Sequence, residues 1–111
     1  MPAAPAKLPT LEWRPQARAD LMDIVAFVAE DNPDAAQELK DEIESKAANL
    51  ARQPKLYRRS QRVKGLREVV IRRNYILLYR ESPALVEIVN VVHARRQWPA
   101  LRSAKPKGGA L

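Results

Sequence analysis

Apolar and polar positions alternate over residues 10–14, with Leu11 and Trp13 set against Thr10, Glu12 and Arg14. This predicts a short strand with one buried face. Pro15 follows, where a first helical residue tolerates the missing N–H. The period then changes. Ala17, Leu21, Ile24 and Val28 recur in steps of four, three and four, with Val25 and Phe27 widening the stripe. That spacing predicts an amphipathic helix over residues 15–30. Asp31-Asn32-Pro33 breaks it, with Asn32 placed to cap the next helix and Pro33 to open it. Ala36, Leu39, Ile43, Ala47 and Leu50 carry a second stripe over residues 33–52, and Pro54 stops it. So short a link makes the two helices antiparallel neighbours.

Residues 66–73, 75–81 and 85–93 are rich in Val, Ile, Leu and Tyr, and are separated by Arg73-Asn74 and Ser82-Pro83-Ala84. Intervals this short exclude crossovers, so the three strands pair as an antiparallel meander. Tyr75, Leu77 and Tyr79 share one face and read as packing residues. In the last strand, strict alternation groups Val86, Ile88 and Val92 against Leu85, Val89 and Val91, so both faces are apolar. The expected order is β-α-α-β-β-β, an α+β domain whose helical hairpin covers one face of an antiparallel sheet of three or four strands. The other face meets solvent or a partner.

Length and composition narrow the picture. The chain has 111 residues, enough for one core. Proline-rich residues 1–7 and the basic, glycine-bearing residues 100–111 read as flexible tails around a domain spanning 8–99. There is no cysteine, which removes disulfides, thiolate metal sites and cysteine nucleophiles. With no signal peptide and no apolar run of the ~20 residues that span a bilayer, a cytoplasmic protein without membrane contact is expected.

Charge is more informative. Residues 1–51 hold five Lys/Arg and ten Asp/Glu, a balance of −5; residues 52–111 hold fifteen and three, a balance of +12. A basic half of this strength fits an anionic partner as well as solubility. Two clusters concentrate it. Arg58, Arg59, Arg62 and Lys64 follow Tyr57 and lead into Arg67, in the manner of a phosphate-facing loop. The other is His93-Ala94-Arg95-Arg96-Gln97-Trp98-Pro99, in which arginine suits phosphate and tryptophan either stacks a base or plugs the core. Either cluster is equally compatible with a solvated surface. The glycines, Gly65, Gly108 and Gly109, fit no phosphate loop, the serines lack a nucleophile-elbow context, and His93 is the only histidine. No metal or cofactor is expected.

Four features in order resemble the RelE/ParE superfamily of toxins from type II toxin–antitoxin systems. They are Leu11-Glu12-Trp13 with Ala17 and Asp20-Leu21; Asn32-Pro33-Asp34-Ala35-Ala36; Leu66-Arg67-Glu68-Val69-Val70; and Asn74-Tyr75-Ile76-Leu77-Leu78-Tyr79 leading to His93–Pro99. The resemblance implies a helical hairpin on an antiparallel sheet. It also implies a toxin neutralised by a cognate antitoxin in a hetero-oligomer.

The superfamily divides by target. The RelE-like branch cuts mRNA on the ribosome with basic residues on the sheet, and carries over to Arg67 and Arg96, with His93 as the residue of suitable pKa. Ile76 stands where that branch has an arginine, and its C-terminal tyrosine has no counterpart. The ParE-like branch inhibits DNA gyrase and needs no such site, and the balance of matches favours it. Arg58, Arg59, Arg62, Lys64, Arg72, Arg73, Arg95 and Trp98 are then the candidates for contact with target or nucleic acid. A third possibility is a non-toxic, antitoxin-bound co-repressor.

Overall fold

The computed structural model describes residues 8–95. The expected tails, and the run from Arg96 to Pro99, lie outside the described residues. The element order is β1 (Thr10–Trp13), α1 (Pro15–Asp31), α2 (Pro33–Asn49), β2 (Arg67–Ile71), β3 (Tyr75–Glu81) and β4 (Leu85–His93). Both helices open on proline, and the side chain of Asn32 caps α2 by accepting the Ala35 N–H at 3.0 Å. That cap satisfies one of the amides a helix start leaves without a partner. Helix α2 ends at Asn49, short of the expected Arg52. The chain tightens there into three-residue turns, Leu50 N–H to Ala47 and Arg52 N–H to Asn49, before Pro54.

The sheet order is β1-β4-β3-β2. Strands β2, β3 and β4 form the expected antiparallel meander, and β1 joins the outer side of β4 in parallel, Leu11 beside Val86 and Trp13 beside Ile88. The sheet is therefore mixed rather than wholly antiparallel. Beyond β2, a single antiparallel bridge of Arg59 to Arg67 adds a short extra edge.

Ala17, Leu21 and Ile24 of α1, and Leu39, Ile43 and Ala47 of α2, pack with Leu50 on Val69, Ile71, Leu77, Tyr79, Val86, Ile88 and Val91. Each large aliphatic side chain so buried contributes about 1.5–3 kcal/mol. A β-bulge corrects the expected alternation in β4. Leu78 pairs with Asn90 but Tyr79 with Ile88, so Val89 is extra and every later residue changes face. Val91 therefore joins Val86 and Ile88 under the helices, while Val92 moves to the opposite face. That opposite face is covered as well: Leu66, Ile76, Leu78 and Val92 are buried, with Val63, Val89 and Ala94 against them.

The bulge is held from above by Asp20 of α1. Its Oδ2 accepts the Val91 N–H at 2.9 Å and the Asn90 side-chain amide at 3.0 Å. A bulge leaves ladder groups in need of partners, and a carboxylate on the overlying helix supplies one.

Candidate functional site

The basic loop after Tyr57 and the described part of the second cluster, residues 93–95, stand at opposite ends of the sheet. At the β2 start, Arg67 is tied on three sides. Its Nη1 donates to the Tyr57 carbonyl at 2.7 Å, and its Nε and Nη2 both lie 3.4 Å from Glu81 Oε2. With its side chain only 12% exposed, this guanidinium fastens the connection to the sheet. Next to it, Tyr79 is fully buried and donates its hydroxyl to the Pro54 carbonyl at 2.6 Å. Burial pushes that hydroxyl from 10.0 up to about 12, against the opposing pull of the Arg67 charge and a backbone hydrogen bond at Tyr57, with Glu81 adding to the rise.

The loop that carries Arg58, Arg59, Arg62 and Lys64 is organised from the far face of β2 by Glu68, a buried charged side chain at 4% exposure. Its carboxylate accepts the Ser60 hydroxyl at 2.7 Å and an Arg58 N–H at 3.2 Å. Ser60 Oγ in turn accepts the backbone N–H groups of Arg62 and Val63 at 3.1 and 3.0 Å. Gly65, at φ +87°, closes the loop into Leu66. Arg59, Gly65, Leu66, Arg67 and Glu81 line a shallow cleft of about 130 Å³.

At the other end, Ile71, Tyr75 and His93 are aligned across β2, β3 and β4. The β2–β3 hairpin loop and the chain after β4 therefore emerge side by side, joined by Ala94 N–H to the Asn74 carbonyl at 2.6 Å. Arg72 and Arg73 in that loop both have positive φ, 55° and 66°. Arg72 reaches back to α2 and donates to Glu42 at 2.6 Å. The His93 ring meets Tyr75 edge-on at 5.3 Å, and its Nδ1 accepts the Arg95 N–H at 3.2 Å.

The structure thus groups Arg72, Arg73, His93 and Arg95 at one end, and Arg58, Arg59, Arg62, Lys64 and Arg67 at the other. Arg96 and Trp98 lie outside the described residues. Arg67 and His93 are not brought together. Arg67 pairs with Tyr79 and His93 with Tyr75, four positions apart on β3 and on flanking strands. At about 3.3 Å per residue and about 4.8 Å per strand, their Cα atoms stand on the order of 16 Å apart. Ile76 is buried among Leu66, Leu78 and Val92. Among the described residues no group of three His, Asp or Glu side chains is placed to hold a metal ion, and no helix is long and apolar enough to cross a membrane.

With this geometry in view, comparison with known proteins is decisive for family. Residues 11–98 match the family described as ParE toxin of type II toxin-antitoxin system, parDE. The chain belongs to this toxin family. It is 38% identical over 90 residues to Y4kP of Sinorhizobium fredii, described as a candidate toxin, covering 80% of this chain and 92% of that one. It is 33% identical over 84 residues to toxin RelE2 of Caulobacter vibrioides, covering 76% and 93%. Its fold matches a chain of the chromosomal ParDE system from P. aeruginosa with a TM-score of 0.68 at 22% identity, covering 78% of this chain and 96% of that one. One relative bears a RelE name and the solved neighbour a ParDE name.

Sequence reasoning found the basic residues but missed what they are tied to. Asp20, Glu42, Glu68 and Glu81 anchor the bulge, the hairpin tip, the basic loop and Arg67 respectively. One signal was legible: Glu68 is a lone acid inside an apolar strand that follows a basic loop. A charge at such a position is buried only with a partner.

Proposed function

We propose that this ParE-family chain is a toxin held inactive by a cognate antitoxin in a hetero-oligomer, and that it acts by binding DNA gyrase rather than by cutting mRNA. The observation that carries the choice of target is the separation of Arg67 from His93. Cleavage of RNA needs a group to activate the 2′-hydroxyl, a cation on the pentacoordinate phosphate and a group to protonate the leaving oxygen, all within hydrogen-bond reach of one phosphate. Arg67 and His93 lie too far apart for that, and Arg67 is already engaged by Glu81 and the Tyr57 carbonyl. Ile76 supports the same reading. An arginine in its place, as in the nuclease branch, would enter an apolar cluster rather than a polar site.

The antitoxin follows from family membership and from the charge of the chain, since a basic sheet is masked most readily by an acidic partner. The reading needs no cofactor.

The test places the purified chain, free of antitoxin, in two assays together: supercoiling by DNA gyrase, and cleavage of a message on translating ribosomes. Loss of supercoiling with intact message is expected, and His93→Ala should leave that inhibition in place. Cleaved message with normal supercoiling, abolished by His93→Ala or Arg96→Ala, overturns the proposal. Absence of both effects, with no growth arrest when the chain is made alone, points instead to the co-repressor.

A further inference from the structure

The hairpin tip at Arg72 and Arg73 is a place where the sequence works against the local backbone. Both residues sit in the left-handed region, at φ 55° and 66°. Glycine or asparagine takes this conformation with little strain, whereas a long side chain is disfavoured there. Backbone strain of this kind is retained where surrounding structure enforces it, and it clusters at functional positions. Two contacts enforce it here. Arg72 is drawn onto Glu42 of α2 at 2.6 Å, and the Asn74 carbonyl accepts the Ala94 N–H at 2.6 Å. The fold therefore uses Arg72 as an anchor. Among the described residues Arg73 makes no ion pair, nor does the guanidinium of Arg95, and both are exposed. The alignment of Ile71, Tyr75 and His93 sets these two arginines at the same end of the sheet, on adjoining chain segments.

We propose that this end of the sheet, through Arg73 and Arg95 with Arg72 as its anchor, is an interface for the phosphodiester backbone of duplex DNA. Two features favour nucleic acid over an acidic peptide. Among the described residues the exposed large apolar side chains, Leu8, Met22, Phe27, Leu56 and Val70, lie outside the hairpin loop and residues 94–95, and Val70 of β2 alone stands near them, so little there seats the side chains of a peptide. Glu42, the carboxylate that reaches the hairpin loop from α2, is already bound to Arg72. Two exposed arginines on adjoining segments match phosphate oxygens, which ask for positioned charge and donors rather than a groove. The inference rests on the gyrase reading only for its choice of duplex DNA, the substrate such an enzyme holds.

The experiment measures binding of the full-length chain, free of antitoxin, to a fluorescent DNA duplex over a salt series. Arg73→Asn keeps a residue that tolerates positive φ, so Arg73→Asn/Arg95→Gln tests the interface without remaking the turn; circular dichroism checks its fold. The double variant should bind at least about tenfold more weakly at low salt. The slope of log affinity against log salt should fall by about 1.8, the counterions released by two phosphate contacts. Arg52→Gln/Lys55→Gln, which removes the same two charges elsewhere, should leave the slope unchanged. Three outcomes overturn the proposal: an unchanged slope in the double variant, an equal fall in Arg52→Gln/Lys55→Gln, or loss of binding to polyglutamate rather than to duplex. The same variants in the supercoiling assay separate the two readings. Duplex binding through these arginines with unimpeded gyrase upholds the interface and refutes the gyrase target. Inhibited gyrase with no duplex binding does the reverse.

Discussion

Replacing Asp20 with alanine tests the account of the β4 bulge. The Asp20 carboxylate accepts the Val91 N–H at 2.9 Å and the Asn90 amide at 3.0 Å, and its other oxygen accepts from Gln16 at 2.8 Å. Hydrogen bonds to a charged acceptor contribute about 1.5–3 kcal/mol each when buried, and less where solvent competes. Asp20 is half-buried, so the two bonds to β4 together are taken at about 2–3 kcal/mol. Much of that is the cost of leaving the amide of buried Val91 without a partner. The bond from Gln16 is on the surface, and Gln16→Ala should change stability by less than about 0.5 kcal/mol. For a folded unit of this size, the Asp20→Ala loss lowers the melting temperature by roughly 10–20 °C. Urea and thermal unfolding of the two variants beside the parent chain measure it. Asp20→Asn keeps one acceptor oxygen and should lose only about 1 kcal/mol. An Asp20→Ala loss no larger than that of Gln16→Ala would falsify the claim that this carboxylate fixes the bulge.

Tyr79 predicts a pH dependence. Its hydroxyl is raised from 10.0 to about 12, so the folded state holds this proton more tightly than the unfolded state does. The associated stability is fully present below pH 10 and is lost as pH rises towards 12. Relative to Tyr79→Phe, the parent chain should lose roughly 2–3 kcal/mol across that window in urea unfolding, and a constant difference refutes the assignment. Tyr79→Phe itself should cost about 1–2 kcal/mol at neutral pH by leaving the Pro54 carbonyl unpaired. Glu68→Ala should destabilise by about 1–2 kcal/mol and speed hydrogen exchange at the Arg62 and Val63 amides, because the exposed Arg58 adds little and the Ser60 hydroxyl loses its acceptor. Unchanged exchange there would separate Glu68 from the loop. Arg73→Gly should raise stability by about 0.5–1 kcal/mol through relief of its φ of 66°, and a loss of stability would show the turn to be unstrained.

The elements were legible because each rests on a short-range signal. The stripe from Ala17 to Val28, the Asn32-Pro33 start and the Val, Ile and Tyr runs needed only the period of the chain and the chemistry of a cap. What escaped depends on contacts between distant segments. The faces of Val91 and Val92 turn on one inserted residue, Val89, whose place is set by the pairing of β3 with β4 and by Asp20 some seventy residues earlier. Alternation alone cannot register such an insertion. The parallel entry of β1 beside β4 is likewise a matter of tertiary arrangement, since a four-residue strand carries no mark of its partner's direction. The division of the candidate site, by contrast, was open to sequence reasoning. Arg67 starts the first strand of the meander and His93 ends its third, so the expected antiparallel order already placed them at opposite ends, and the register adds the distance between them.

The same contacts change the meaning of the charge. As a composition, the excess of +12 over residues 52–111 is one broad field. In the structure its three acids are all engaged: Glu68 by Arg58, Glu81 by Arg67, and Glu87 by Arg80 and Arg14. Glu42 of α2 takes Arg72 as a fourth tie. Some of the arginines therefore close the fold, and their replacement should be read first as a loss of stability. Arg59, Lys64, Arg73 and Arg95 make no ion pair among the described residues, so their charge is available to a partner. Of these, Arg59 and Lys64 ride on a loop tied to β2 by the bridge of Arg59 to Arg67, by Ser60 N–H to the Leu66 carbonyl and by the buried Glu68, while Arg73 sits on a strained tip anchored through Arg72 and Asn74, with Arg95 beside it after β4. Counterion release rewards charge wherever it lies and both ends are held in place, but only the hairpin tip keeps a long side chain at strained positive φ, which persists where function or packing requires it. That difference is why the hairpin end of the sheet, and not its more heavily charged opposite, is assigned to DNA.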